Sequence, residues 1–278
     1  MEQIKEKYIL LVDDDILIGM NTKLKLEKYG YKILLANYGD QALRMLGQHD
    51  DIMLVLMDID LGPDTSGIEL SREILQLRKI PIVFVSSHTE PDIVSMTENV
   101  TSYGYIVKSS SVTAFDASIK MAYKLFIEKI KTDTFDKYLK VALENASEPI
   151  FISNADADVI FCNKAYLKIT GMEDSTTYTR EISEYAKFTK IFSDTGQLLP
   201  QDDWASTRGL KGKQKENEIF YVYNAKIDMI LVNYYTYAPI YDGHKVVIGS
   251  YVKIGLPVES PDPAILESIK SHQLPALS

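Results

Sequence analysis

The first half of this 278-residue chain places polar side chains at the ends of apolar runs. These side chains are Asp13, Asp14, Asp58, Ser86 and Lys108. Continuous apolar runs are typical of strands buried on both faces of a parallel sheet, and the carboxyl ends of such strands meet at one edge. Carboxylates brought together repel one another, and Mg²⁺ relieves that repulsion because it prefers oxygen ligands. The spacing therefore predicts a Mg²⁺-binding edge that also carries a hydroxyl and a lysine.

The elements that must position these residues alternate between strand and helix from residue 7 to about residue 130. Strands are predicted at residues 8–12, 31–36, 52–57, 82–85 and 105–107. Helices are predicted at residues 16–29, 39–47 and 67–77, with a weaker one at 91–99. This alternation predicts an α/β fold with a doubly wound, five-stranded parallel sheet of the flavodoxin type.

On these residues the first half resembles the receiver domain of two-component response regulators. The acidic pair follows the first strand, and Asp58, Ser86 and Lys108 follow the third, fourth and fifth strands in the order of that family. The resemblance implies that Asp58 is a nucleophile that accepts a phosphoryl group. It also implies that Mg²⁺ is held by Asp13, Asp14, Asp58 and the backbone carbonyl of Asp60.

The same resemblance implies a switch. Lys108 would neutralise charge during transfer, and Ser86 would hydrogen-bond a phosphoryl oxygen once it is present. Tyr105 stands at the position of the family's switching aromatic and would follow Ser86 inward. Two features depart from the family pattern: Ser109 replaces the usual proline after the lysine, and the loop after Asp58 is longer by one residue than the commonest form. The longer loop is similar to those of receivers attached to sensor modules and histidine kinases.

Residues 112–146 have a helical pattern. Apolar residues at 115, 119, 122, 126 and 130 share one stripe, which resumes at Tyr138 after a polar break at 132–134. One interpretation is a last receiver helix followed by a separate capping helix. The other is a signalling helix that also dimerises.

The second half changes in character from residue 147. Short strands are predicted at 149–153 and 159–162, short helices through about 192, strands at 218–224, 227–239 and 246–254, and a short helix at 263–271. The motifs at 143–156, 159–166, 199–204 and 210–213 resemble a PAS domain, an α+β domain with an antiparallel sheet. Such domains bind a cofactor or none, and the ligand is left open here. Cys162 is expected to be buried filler, and the tyrosines of the last strands either line a pocket or reflect strand propensity.

The composition limits the classes of function. A formal net charge of -9 without a basic stripe argues against nucleic-acid binding. The single cysteine excludes an internal disulfide and fits a reducing compartment. With no signal peptide and no apolar run long enough for a membrane span, we expect a cytoplasmic protein without a membrane partner.

These observations predict a receiver domain at residues 1–130, a helical linker at 131–146, a PAS domain at 147–256 and a tail at 257–278. The expected function is that of a response regulator that accepts a phosphoryl group from a histidine kinase or phosphotransfer protein and signals by dimerisation or partner binding. The alternative is the sensory or scaffold part of a longer histidine kinase, with a PAS ligand as input. A third hypothesis, an aspartyl-phosphatase enzyme with Asp60 as general acid, conflicts with the receiver-type residues. We therefore expect no enzyme, apart from slow self-dephosphorylation.

Overall fold

The computed structural model describes residues 3–62, 66–87, 102–171 and 182–271. The chain divides into two compact units, Met1–Phe135 and Asp136–Ser278. This division falls inside the predicted linker, and the bounds of the four segments proposed above stay a prediction. The predicted helix at 91–99 lies outside the described residues. Within the described part of the chain, no helix is both long enough and apolar enough to span a bilayer.

The first unit contains a five-stranded parallel sheet in the order β2-β1-β3-β4-β5. Its strands are β1 (Tyr8–Val12), β2 (Lys32–Ala36), β3 (Ile52–Asp58), β4 (Ile82–Ser86) and β5 (Ser102–Val107). Its helices are α1 (Gln3–Glu6), α2 (Ile16–Lys28), α3 (Gly39–Gln48), α4 (Gly67–Leu77) and α5 (Val112–Glu144). The doubly wound parallel fold predicted from the sequence is confirmed.

The sheet is covered on both faces, as its apolar strands require. All seven residues of β3 are buried. Leu10 and Val55 belong to the core on one face, whereas Ile9 and Leu54 belong to the core on the other. The strands are thereby fixed in register, so that their carboxyl ends form one edge.

Helix α5 runs without interruption for 33 residues, so the helical pattern is confirmed and the interpretation with a separate capping helix is wrong. Threonine and aspartate have a lower helix propensity than alanine, but they cost less than glycine or proline, so a helix continues through them. The Thr132 hydroxyl donates to the Glu128 carbonyl one turn back at 3.1 Å, so its polar group is satisfied within the helix. Phe115, Ile119 and Ala122 are buried against the sheet.

The second unit contains a six-stranded antiparallel sheet in the order β7-β6-β11-β10-β9-β8. Its strands are β6 (Ile150–Asn154), β7 (Val159–Cys162), β8 (Thr189–Phe192), β9 (Lys215–Asn224), β10 (Met229–Tyr241) and β11 (Val247–Pro257). The α+β class predicted from the sequence is confirmed. Residues 189–192 form an edge strand rather than part of a helix, because they pair with distant residues 221–224.

Short helices cover the two faces of this sheet. They are α6 (Lys164–Thr170), α7 (Ile182–Phe188), a 3₁₀ turn (Gln201–Asp203), α8 (Ala205–Leu210) and α9 (Pro263–Ser271). Ile265, Leu266 and Ile269 of α9 pack against Tyr221 and Phe192 of the sheet. The predicted helix at 263–271 is therefore present and belongs to the core of this unit.

Asn163 joins the end of α5 to this second unit. Its side chain is fully buried, and its amide nitrogen donates to the carbonyls of Leu143 at 3.1 Å and Glu148 at 2.8 Å. Its oxygen accepts from the backbone N–H groups of Ile150 and Tyr166, each at 3.0 Å. One side chain thus hydrogen-bonds to backbone groups of three segments and ties them together.

Candidate functional site

The carboxyl edge of the parallel sheet brings the predicted residues together from four strands. Asp13 follows β1, and its backbone N–H donates to Ala36 at the end of β2 at 3.0 Å. Asp58 is the last residue of β3. Ser86 ends β4, and its carbonyl accepts from the backbone N–H of Lys108 at 2.8 Å. The ladder of a parallel sheet therefore sets the spacing of these side chains.

Lys108 lies between two buried carboxylates. Its Nζ is 2.6 Å from Asp58 Oδ2 and 3.0 Å from Asp13 Oδ2. Asp13 and Asp58 are only 2% and 3% exposed, so these ion pairs are shielded from water. One cation thus faces two anions, which leaves the pocket with a net negative charge before Asp14 is counted.

Burial shapes the acid–base properties of this pocket. Burial raises the pKa of Asp58 to about 6, although the hydrogen bond from Lys108 acts in the opposite direction. Burial also raises the pKa of Asp13, again against the hydrogen bond from Lys108. For Lys108, burial alone would lower the pKa, but hydrogen bonds to Asp58 and Asp13 outweigh it and leave the pKa raised. The pocket therefore keeps Lys108 protonated. This single positive charge does not balance the carboxylates around it.

The residues present fit a hard divalent cation. Asp13, Asp14 and Asp58 each offer a carboxylate oxygen, and these oxygens lie within 4.8 Å of one another. An all-oxygen donor set with carboxylates is what Mg²⁺ prefers. Asp60, whose carbonyl is the fourth predicted ligand, lies beside the site, with its backbone N–H 3.4 Å from Asp58 Oδ1. The individual ligand roles stay predictions.

The two predicted switch residues lie on neighbouring strands. Ser86 is fully buried at the end of β4. Tyr105 lies on β5, where it pairs with Phe84 and packs at the border of one sheet core. This placement is compatible with a switch, whose role stays a prediction.

Gly67 allows α4 to begin directly against strand β3, which ends at Asp58. Its backbone N–H donates to the Ile59 carbonyl at 2.8 Å, and a Cβ at this position would overlap the backbone oxygen of Asp58. The Ser66 side chain caps the helix by accepting from the N–H of Ile68. The tight approach of α4 therefore fixes the backbone of Asp58.

Two further residues, Asp15 and Asn37, contact Asp13 but were not among the residues predicted for the site. Asp15 caps α2 by accepting from Leu17 and Ile18, and its own N–H donates to Asp13 Oδ1 at 3.1 Å. The Asn37 side chain donates to the backbone oxygen of Asp13 at 3.1 Å. An asparagine after a strand is common in turns, so only the tertiary contact reveals its position.

The second unit encloses a cavity of about 60 Å³. Its lining includes Phe151, Tyr166, Tyr185, Trp204, Tyr235 and Ile254. Of the tyrosines considered from the last strands, Tyr235 lines this cavity, whereas Tyr221 and Tyr223 pack on the other face beneath α9. Cys162 is buried in the hydrophobic core on the same face of the sheet as the cavity. The space suits a few waters or a small apolar molecule, and the ligand stays open.

Family models match both units. The response regulator receiver domain matches residues 9–120, and a PAS domain matches residues 137–203. The two resemblances inferred from the sequence motifs are therefore confirmed.

Curated relatives match the first unit. The chain is 33% identical over 107 residues to the CAI-1 autoinducer sensor kinase/phosphatase CqsS of Vibrio cholerae, covering 37% of this chain and 15% of that protein. It is 30% identical over 121 residues to the transcriptional regulatory protein PdtaR of Mycobacterium tuberculosis, covering 43% of this chain and 58% of the relative. The chain thus spans less than two thirds of the length of each of these relatives.

A solved structure also matches the first unit. It is the N-terminal domain of a response regulator/sensory box/GGDEF 3-domain protein from Carboxydothermus hydrogenoformans, at 33% identity and a TM-score of 0.42. The match covers 45% of this chain and 99% of that one.

Proposed function

Because this chain contains a response regulator receiver domain at residues 9–120 and a PAS domain at residues 137–203, we propose that it is a response regulator. In this proposal Asp58 accepts a phosphoryl group from a histidine kinase or phosphotransfer protein in the cytoplasm. The receiver matches support two-component signalling in general, and the phosphorelay step is our own inference. A net charge of -9 favours protein partners over nucleic acid.

The observation that carries the proposal is the position of Lys108 between Asp58 and Asp13. A carboxylate oxygen of Asp58 attacks the phosphorus of the donor's phosphohistidine, a P–O bond forms, and the P–N bond breaks. The leaving imidazole nitrogen keeps the bond's electron pair and gains a proton from solvent. Since charge spreads over the phosphoryl oxygens, catalysis consists mostly of positioning and neutralisation.

The protein's own groups supply part of that neutralisation. Lys108 Nζ is close enough to Asp58 to contact an incoming phosphoryl oxygen. Bound at Asp13, Asp14 and Asp58, Mg²⁺ would supply the remaining positive charge. Ser86 would bond a phosphoryl oxygen after transfer, and we propose that Tyr105 responds to that contact. No turnover beyond slow self-dephosphorylation is proposed.

A docking surface for the phosphodonor lies beside the site. Ile16, Leu17 and Met20 of α2 are 61%, 82% and 45% exposed, and the helix begins directly after the acidic loop. Exposed apolar side chains grouped in this way mark protein interaction surfaces. This face supports a protein donor rather than a small metabolite as the natural source of the phosphoryl group.

For the output, we propose self-association through α5. Phe135, Tyr138 and Leu139 are 64%, 71% and 47% exposed on this helix, and helical spacing groups them on one side. A second copy of the chain would bury these side chains in a helix–helix contact. The PAS domain would transmit or receive the signal beyond this helix.

A second candidate is the sensory or scaffold part of a longer histidine kinase. The match to a sensor kinase/phosphatase favours it, since 107 residues of that protein resemble the receiver unit. In that case the PAS cavity would receive the input, and copurification of an extractable ligand would favour this reading.

Labelling with a small acyl phosphate and Mg²⁺ tests the proposal. We expect the wild-type chain to gain the mass of one phosphoryl group and the Asp58→Asn variant to gain none. Asp51→Asn, a change at an exposed acid outside the pocket, serves as the control and should label normally. Equal labelling of Asp58→Asn and wild type would contradict the proposal.

A further inference from the structure

The backbone on both sides of Asp13 is hydrogen-bonded to the last residue of β2, Ala36, and to the residue after it, Asn37. The N–H of Asp13 donates to the carbonyl of Ala36 at 3.0 Å, which fixes the peptide before Asp13. The carbonyl of Asp13 accepts from Asn37 Nδ2 at 3.1 Å, which fixes the peptide after it. The first contact is made by backbone alone, so the second is the one that depends on a side chain.

Asn37 is itself anchored. Its backbone N–H donates to the side-chain oxygen of Gln41 in the first turn of α3 at 2.9 Å. Gln41 in turn donates its backbone N–H to the carbonyl of Tyr38 at 3.2 Å. The backbone of Asn37 is therefore fixed. Its side chain extends from this fixed point and holds the Asp13 carbonyl in one orientation.

The two carboxylates of the acidic pair differ in their support. Asp13 is held by Lys108 and by the N–H of Asp15. Asp14 is exposed, and in the described part of the chain no hydrogen bond or ion pair holds its carboxylate. The location of the Asp14 carboxylate thus depends on the orientation of the peptide that joins it to Asp13.

We propose that Asn37 is a positioning residue for the divalent-cation site, acting through the Asp13 carbonyl to aim the Asp14 carboxylate. This inference rests on the proposed function, because it assumes that the acidic pair binds Mg²⁺. Groups that orient metal ligands typically contribute about 10- to 100-fold to metal affinity. Asn37 touches no ligand oxygen, so its contribution falls at the lower end of that range.

Calorimetric titration of the whole chain with Mg²⁺ tests this role. We expect Asn37→Ala to weaken Mg²⁺ binding roughly tenfold. Labelling by a small acyl phosphate should slow at low Mg²⁺ and recover to within about twofold of wild type at saturating Mg²⁺, because the variant retains the nucleophile and the lysine. A merely structural role would lower the melting temperature of the metal-free protein and leave the affinity unchanged.

Asn37→Asp separates positioning from charge. Aspartate has nearly the same shape, but it replaces the amide donor by an acceptor that repels the Asp13 carbonyl. Simple electrostatics predicts tighter Mg²⁺ binding, since a negative charge is added. Positioning predicts weaker binding, and this variant decides the matter if Asn37→Ala does not fold.

Asn233→Ala is the matched control. Asn233 also donates its side-chain amide to a backbone carbonyl, that of Gly255, at 3.1 Å, but it lies in the second unit. Its loss should leave Mg²⁺ affinity unchanged. If wild type binds Mg²⁺ and both Asn37 variants bind it equally well, the role of Asn37 is wrong. If wild type binds no Mg²⁺, the proposed metal site itself is wrong.

Discussion

At the residue scale, the carboxyl edge combines three carboxylates with one lysine. Burial raises the pKa of Asp58 to about 6 and raises that of Asp13. Replacing a buried ion pair by apolar residues often raises the free energy of unfolding of a protein, so these charged groups are poorly explained by stability. Buried carboxylates with raised pKa values are typical of functional sites. The excess negative charge and the bridging lysine together suit a cation and a phosphoryl group.

A residue-scale prediction concerns Cys162 in the second unit. Its side chain is 8% exposed, and burial raises the pKa of the thiol to about 11. Because the thiolate is the reactive form, we expect the native protein to react very slowly with a thiol reagent at about pH 8. Full reaction should follow denaturation, measured as released chromophore. Rapid stoichiometric reaction of the native protein would contradict the burial of this strand.

At the element scale, the start of α4 is set by its contact with the end of strand β3. A Cβ on Gly67 would overlap the backbone oxygen of Asp58, whereas a Cβ on Gly47 would meet nothing within 4 Å. The two glycines thus serve different purposes. Gly67 permits a close approach that the site needs, and Gly47 merely weakens α3.

This difference gives a paired prediction. We expect Gly67→Ala to lower the free energy of unfolding by about 3 kcal/mol through overpacking and to slow labelling of Asp58. Gly47→Ala should raise the free energy of unfolding by about 0.5–1 kcal/mol through helix propensity and leave labelling unchanged. Urea unfolding measures both, and equal stability of the two variants would show that the approach of α4 is unimportant.

The sequence predicts elements well where one local signal dominates. Strand β1 and helix α4 are found at their predicted bounds, because an apolar run and a capped amphipathic pattern define them. The separate capping helix, one of two interpretations of residues 112–146, is wrong because polar residues at 132–134 interrupt the apolar stripe without ending the helix. Strand β8 is missed because its pairing with β9 is long-range. Asn37 is likewise invisible without the tertiary contact, although Asp13, Asp58 and Lys108 follow from strand ends alone.

At the scale of the whole molecule, α5 is shared by the two compact units, with residues 112–135 in the first and 136–144 in the second. Asn163 fixes the end of this helix to the second unit through the carbonyl of Leu143. The end of this helix is therefore anchored within the second unit. The self-association proposed above uses the exposed apolar side chains of the same helix.

The corresponding prediction uses beryllofluoride with Mg²⁺ as a stable mimic of the phosphoryl group. We expect the mimic to change the average mass of the wild-type protein in sedimentation equilibrium. The double variant Phe135→Lys and Leu139→Lys should stay monomeric with and without the mimic, since charges replace the exposed apolar contact.

Lys137→Glu is the control for this experiment, because helical spacing places it on the opposite side of α5 from Phe135 and Leu139. It should behave as the wild type does. A wild-type protein that is monomeric under both conditions would contradict output by self-association while leaving phosphorylation of Asp58 untouched.

The central claim is that the phosphoryl group resides on Asp58. After labelling with a small acyl phosphate and Mg²⁺, borohydride reduction converts an aspartyl phosphate to homoserine, which tandem mass spectrometry locates in the chain. We expect homoserine at position 58 and at no other aspartate. Homoserine at another position, or none in a protein that has gained the phosphoryl mass, would contradict it.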